Sequence, residues 1–77
     1  MPANRRPRAR AEKRDEIVTA ARRLFVDDGY DATALSKIAA AAGVTANTVY
    51  WYFPDKDHLL VAVLEELLAD ALSRYEP

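Results

Sequence analysis

The sequence lacks most of the residues from which catalytic, metal and cross-linked sites are built. It contains no cysteine and a single histidine, His58, so disulfides and thiolate metal sites are excluded, and a transition metal would find no second nitrogen ligand. Carboxylates cluster around residues 27–31, but without a nucleophile signature or the alternating ligand pattern of a calcium loop. We therefore expect no enzymatic activity, no metal and no cofactor.

Long apolar runs are also missing. No stretch of about 18 apolar residues is present, and no hydrophobic segment follows the basic N-terminal residues. This argues against a membrane span and a signal peptide, so we expect a cytoplasmic protein. A chain of 77 residues is enough for one small domain.

Net charge is nearly absent, but the charges are unevenly distributed. The total of −1 combines eight basic and three acidic side chains in residues 1–23 with three basic and nine acidic ones in the remainder. Residues 1–10, MPANRRPRAR, contain two prolines and four arginines, which favours a disordered basic arm. Such an arm on an acidic body is typical of polyanion binding or of a solubilising tail.

Residues 11–77 predict an all-α domain of four helices. The first helix is expected over about 11–28, because Ile17, Ala21, Leu24 and Phe25 fall on one helical face. It should end at Gly29, with the next residue, Tyr30, packed back over Phe25.

Two short helices are predicted next, over about 34–41 and 46–52. Thr33 is expected to cap the first of them and Gly43 to end it, while Thr45 caps the second and Pro54 forces its end. Two helices joined by a tight glycine turn form a helix-turn-helix unit.

A fourth helix is predicted from the capping residue Asp55 onward, with a wide apolar stripe. The half of this stripe from Leu67 onward has no predicted element to pack on. We therefore expect either a truncated chain or a helix that requires a partner. A helical protein-binding module that uses this stripe is the alternative functional interpretation.

The third predicted helix contains four consecutive aromatic residues at positions 50–53, which cannot all face one core. If Val49 and Phe53 point inward, Asn47 and Trp51 point most nearly outward. Trp51 could then contact a ligand or cover the junction with the first or the fourth helix. The flanks carry hydroxyl groups, and residues 44–54 include no carboxylate, as expected of a surface that faces phosphates.

At these residues the chain resembles a known family. The run from Arg14 to Leu64, including LFVDDGYDATALSKIAAAAGVTANTVYWYFPDKDHLL, is similar to the N-terminal DNA-binding domain of the tetracycline-repressor (TetR) family. The resemblance implies a homeodomain-like helix-turn-helix fold in residues 11–77. Ala46 and Asn47 stand where the family often has a basic residue followed by glycine or proline, so base preference does not transfer from relatives.

The resemblance also implies a function and site residues. It implies sequence-specific binding of double-stranded DNA by a transcriptional regulator, with repression as the expected outcome and the third helix in the major groove. The implied base-side residues are Asn47, Thr48 and Tyr50. The implied phosphate contacts are Thr33, Ser36, Tyr52 and Lys56, with possible arm contacts from Arg5, Arg6, Arg8 and Arg10.

The partners follow from the same resemblance. The full-length protein is expected to be a homodimer on a palindromic operator, and this fragment to be mostly monomeric. A small-molecule inducer would bind only through a C-terminal domain that this sequence lacks.

Overall fold

The computed structural model describes residues 5–75, with side chains from residue 10 onward. It contains four helices and, within residues 5–75, no strand: α1 (Arg5–Asp28), α2 (Leu35–Ala42), α3 (Ala46–Tyr52) and α4 (Lys56–Arg74). The predicted all-α fold with a helix-turn-helix in its centre is confirmed. None of the helices in this range is long and apolar enough to cross a membrane.

Helix α1 begins at Arg5, six residues before its predicted start. The prediction of a disordered arm over residues 1–10 is therefore wrong for residues 5–10, while residues 1–4 lie outside the described part of the chain. Pro7 does not prevent this helix, because it lies in the first turn, where its missing N–H leaves no helical hydrogen bond unmade. The alanines and arginines that follow are good helix formers.

Glycines end α1 and α2 as predicted. Gly29 adopts φ 91°, its N–H donates to Phe25 O at 3.0 Å, and the rings of Phe25 and Tyr30 lie 5.1 Å apart between centroids. At the end of α2, Gly43 adopts φ 75°. A left-handed conformation of this kind lets the chain reverse direction without the steric cost that a Cβ would bring.

The start of α2 differs from the prediction. Its N-cap is Ala34, which makes no capping hydrogen bond through its side chain. Thr33 is instead fully buried, and its Oγ1 lies 2.7 Å from Gly29 O and 3.3 Å from Leu24 O. A buried hydroxyl requires a hydrogen-bond partner, and these two carbonyls, in the last turn of α1 and just after it, supply one. Thr33 thus fastens the α1–α2 turn to α1.

One hydrophobic core joins the four helices. Val49 and Phe53 of the α3 segment are buried in it, which confirms their inward placement. Arg22 of α1 also binds α4, because its Nη1 donates to Asp70 Oδ2 at 2.9 Å and to Glu66 Oε1 at 3.2 Å. The buried residues of this core are Ile17, Val18, Ala21, Leu24, Ile38, Ala39, Val49, Phe53, Leu59, Ala62 and Val63.

The apolar stripe of α4 is only half used. Its first turns contribute Leu59, Ala62 and Val63 to the core. The large apolar side chains beyond them are exposed: Leu64, Leu67, Leu68, Leu72 and Tyr75. Within the described residues nothing covers this part of the stripe. The sequence pattern predicts this from Leu67 onward, and the structure leaves Leu64 exposed as well.

Candidate nucleic-acid interface

Helix α3 is fixed at both ends by its own sequence. Thr45 caps it, because its Oγ1 accepts a hydrogen bond from the Thr48 N–H at 3.2 Å. Phe53 then leaves the helical conformation with φ −135° and ψ 111°, since the residue before a proline is disfavoured in the helical region. These two signals give α3 the bounds predicted for it.

The outer face of α3 is polar and aromatic. Asn47 is exposed, Tyr50 is 52% exposed and Trp51 is 68% exposed, while Thr48 and Tyr52 are half-buried on the flank. The Thr48 hydroxyl lies 3.0 Å from Thr45 Oγ1 and so contributes to the cap. The helical-wheel placement of Asn47 and Trp51 is confirmed.

Trp51 has two partners, and one of them lies on α1, so the ring covers a junction with another helix, one of the two placements that the sequence left open for it. Its ring meets Tyr52 edge-on, with centroids 4.9 Å apart and an interplanar angle of 78°. The guanidinium carbon of Arg10, from α1, lies 5.8 Å from the Trp51 ring centroid. This contact was missed because α1 was predicted to start after Arg10. The signal that could have found it is the run of good helix formers before residue 11.

A second arginine of α1 lies on the same side. Arg14 follows Arg10 by one helical turn, and its guanidinium carbon is 5.1 Å from the ring centroid of Phe53. Arg10 also lines a shallow surface depression together with Asn47, Thr48, Trp51 and Tyr52. This surface combines the positive charge of Arg10 with side chains that donate hydrogen bonds, and no carboxylate from residues 44–54 offsets that charge.

The predicted phosphate contacts have different outcomes. Ser36 is exposed in the first turn of α2. Thr33 is buried and its hydroxyl is used within the fold, so its side chain does not reach the surface. The arm residues Arg5, Arg6 and Arg8 have side chains outside the described part of the structure.

Lys56 is engaged within the domain rather than projecting freely. Its Nζ donates to Tyr30 O at 2.7 Å and to Thr33 O at 3.1 Å, and it lies 4.4 Å from the Tyr30 ring centroid. Two of the three ammonium donors are therefore directed at the α1–α2 turn. In this arrangement Lys56 ties the start of α4 to the turn that precedes α2.

Further polar contacts stabilise the start of α4. Asp55 caps the helix by accepting from the His58 N–H at 2.9 Å, and its Oδ1 also lies 2.8 Å from His58 Nδ1. The side-chain hydrogen bond from His58 lowers the pKa of Asp55 below its usual range. The Tyr30 hydroxyl donates to Asp57, and this bond is the main reason why the pKa of Tyr30 rises to about 12.

A family comparison agrees with this geometry. Residues 17–63 match the model described as bacterial regulatory proteins, tetR family, and this range includes α2, α3 and the turn between them. The chain belongs to the TetR family. It is thus a DNA-binding regulatory domain of the helix-turn-helix type.

Individual TetR-family relatives support the same assignment. The chain is 44% identical over 54 residues to the HTH-type transcriptional regulator AcrR of Shigella flexneri. The matched segment covers 70% of this chain and 25% of that protein. It is 39% identical over 64 residues to the HTH-type transcriptional regulator RutR of Escherichia coli strain K12, covering 83% and 30% respectively. These relatives are transcriptional regulators, which confirms the expectation that the chain is not an enzyme.

A third relative is the fatty acid metabolism regulator protein of Bacillus subtilis strain 168, with 34% identity over 61 residues, 79% of this chain and 31% of that protein. The chain thus spans between a quarter and a third of the length of these curated relatives. No solved structure matches the chain significantly.

Proposed function

We propose that this TetR-family domain binds double-stranded DNA in a sequence-specific manner, with α3 lying in the major groove. The observation that carries the proposal is the outer face of α3, where Asn47, Tyr50 and Trp51 are exposed and no carboxylate occurs over residues 44–54. A groove lined by phosphates repels carboxylates and favours hydrogen-bond donors, so this face is complementary to it.

The exposed groups on α3 suit different parts of DNA. The Asn47 amide can donate to and accept from the edge of an adenine. Thr48 can contact a phosphate or a thymine methyl group, and the Tyr50 hydroxyl can reach a base or a phosphate. We assign two further residues to phosphate contacts: Tyr52, on the flank of this face, and Ser36, which is exposed in the first turn of α2. Arg10 adds a guanidinium beside Trp51 and is a further phosphate contact.

For the whole protein, we propose a homodimeric cytoplasmic repressor on a palindromic operator, with each protomer binding one half-site. Two-fold protein symmetry is then mirrored in the operator sequence. An inducer would bind through a part of the protein beyond these 77 residues. The 77-residue chain by itself should be mostly monomeric and should bind half-sites weakly, which sedimentation would measure.

Selection of bound sequences from random DNA tests the proposal directly. The selected sites should share a motif, and Asn47→Ala should cost about 1–3 kcal/mol of binding free energy at one base position and relax the preference there. The matched control is Thr19→Ala, which removes an exposed polar side chain beside Ala41 and Ala42, on a surface that α3 does not line. It should leave the motif unchanged.

The same experiment separates this proposal from the alternative. The exposed apolar side chains of α4 would serve a protein-binding module equally well. If the chain binds no duplex even at low salt, DNA recognition by α3 is refuted and the α4 surface becomes the working surface. If it binds but selects no motif, the assignment of Asn47 to a base is wrong.

A further inference from the structure

We infer that Trp51 is a positioning residue for Arg10: its indole ring holds the guanidinium beside α3 so that Arg10 makes a fixed phosphate contact. This inference rests on the proposed DNA binding and deepens it. It gives a role to the most exposed ring of α3, and it turns one residue of the basic N-terminal segment into a defined part of the DNA-binding surface.

The geometry brings together two residues from different helices. The guanidinium carbon of Arg10 lies 5.8 Å from the ring centroid of Trp51, within the range in which a cation is attracted to the face of an aromatic ring. Trp is the aromatic residue that attracts cations most strongly. Arg10 and Trp51 also line the same depression as Asn47 and Thr48, so the positive charge lies next to the proposed base-reading groups.

Trp51 and Arg10 are each held by a further part of the fold. Trp51 meets Tyr52 edge-on, and Tyr52 is half-buried and packed against the core, which limits the movement of the indole ring. Arg10 stands on a continuous helix that begins at Arg5, and the next arginine on that face, Arg14, lies over Phe53. Arg10 is therefore attached to a helical backbone rather than to a disordered segment.

The chemistry of the guanidinium allows both contacts at once. Attraction to the indole uses the flat face of the group, whereas its five N–H donors point outward in the plane. Those donors can form a bidentate pair with a phosphate while the guanidinium stays beside the ring. An arginine that is already held in place also loses less side-chain entropy when it binds.

A salt titration distinguishes this role from a direct contact between Trp51 and DNA. Each phosphate contact contributes about −0.9 to the slope of log affinity against log salt concentration. Trp51 is uncharged, so its removal can change this slope only by acting on a charged group. We therefore compare the wild-type chain, Arg10→Ala, Trp51→Ala, Trp51→Phe and the double variant Arg10→Ala/Trp51→Ala on one fixed duplex.

The expected results are specific. Arg10→Ala should reduce the slope by about 0.9. Trp51→Ala should reduce it in the same direction and weaken binding about two- to fivefold, the range of an exposed cation–aromatic pair. Trp51→Phe, which keeps a ring face, should restore part of the slope. In the Arg10→Ala background, Trp51→Ala should have no further effect on the slope.

The control is Arg23→Ala, which removes the same charge from an exposed position of α1 that lines other depressions; its slope should stay close to that of the wild type. A Trp51→Ala slope equal to the wild-type slope, or equal losses of affinity with and without Arg10, would overturn the inference. These outcomes leave the proposed function intact, because that proposal fails only if the wild-type chain shows no salt-dependent, sequence-selective binding.

Discussion

Replacing Lys56 with methionine tests whether this lysine holds the fold together or contacts DNA. Methionine keeps most of the apolar stem and removes only the ammonium. In the structure that ammonium donates to Tyr30 O at 2.7 Å and to Thr33 O at 3.1 Å and lies 4.4 Å from the Tyr30 ring. The substitution should therefore destabilise the junction between the α1–α2 turn and the start of α4.

The size of this effect can be worked out from the contacts. A hydrogen bond from a charged group contributes about 1.5–3 kcal/mol, and a cation–aromatic contact about 0.5–1 kcal/mol. Lys56 is half-buried, so water competes for its donors, and its two hydrogen bonds together are counted as one bond at the low end of this range. We expect a loss of about 2 kcal/mol in the free energy of unfolding. For a domain of this length, that corresponds to a Tm lower by about 8–16 °C.

Thermal and urea unfolding followed by circular dichroism would measure the change. Lys13→Met is the matched control, because Lys13 loses the same charge but forms only an exposed ion pair, 4.0 Å from Glu16. Its unfolding should be nearly unchanged. If Lys56→Met unfolds like the wild type while the salt slope of DNA binding falls by about one, then Lys56 acts on a phosphate and the structural role is refuted.

Two further predictions concern the same region. Thr33→Val keeps the shape of the buried side chain but removes the hydroxyl near Gly29 O and Leu24 O. It should lower the free energy of unfolding by about 1 kcal/mol without changing DNA affinity. An equal loss of stability from the exposed control Thr19→Val would contradict this. The side-chain hydrogen bond from His58 lowers the pKa of Asp55 in the folded state. The stability that ionised Asp55 contributes is therefore complete above the pKa that Asp55 has in the unfolded chain, near 4, and is lost as the pH falls through the lower pKa of the folded state. In urea unfolding at a series of acidic pH values, Asp55→Asn, which still caps a helix, should lack this loss; an unchanged pH profile would show that the Asp55–His58 contact has no energetic role.

Much of the fold follows from local signals in the sequence. The glycines at 29 and 43, the caps Thr45 and Asp55 and the proline at 54 each restrict the backbone within a few residues of themselves, so the bounds of α3 and the start of α4 could be predicted closely. Helical periodicity also predicted that Val49 and Phe53 lie in the core, because the direction of a side chain follows from its position along a helix.

The structure departs from the expectations where a residue's partner is distant in the chain. Local reasoning predicted Thr33 as the N-cap of α2, and the family resemblance implied phosphate contacts for both Thr33 and Lys56. The structure directs their polar atoms to backbone carbonyls of the α1–α2 region instead. The competing acceptors became visible only when α1, the turn and α4 were brought together.

Four helices, their order, the helix-turn-helix and the polar, carboxylate-free face of α3 follow from the amino-acid sequence alone, because they depend on local backbone preferences and helical periodicity. Which polar groups remain available on the surface depends on the packing of the helices. That packing buried Thr33, engaged Lys56 and placed Arg10 over Trp51, since the partners of a side chain depend on how helices distant in sequence pack against each other.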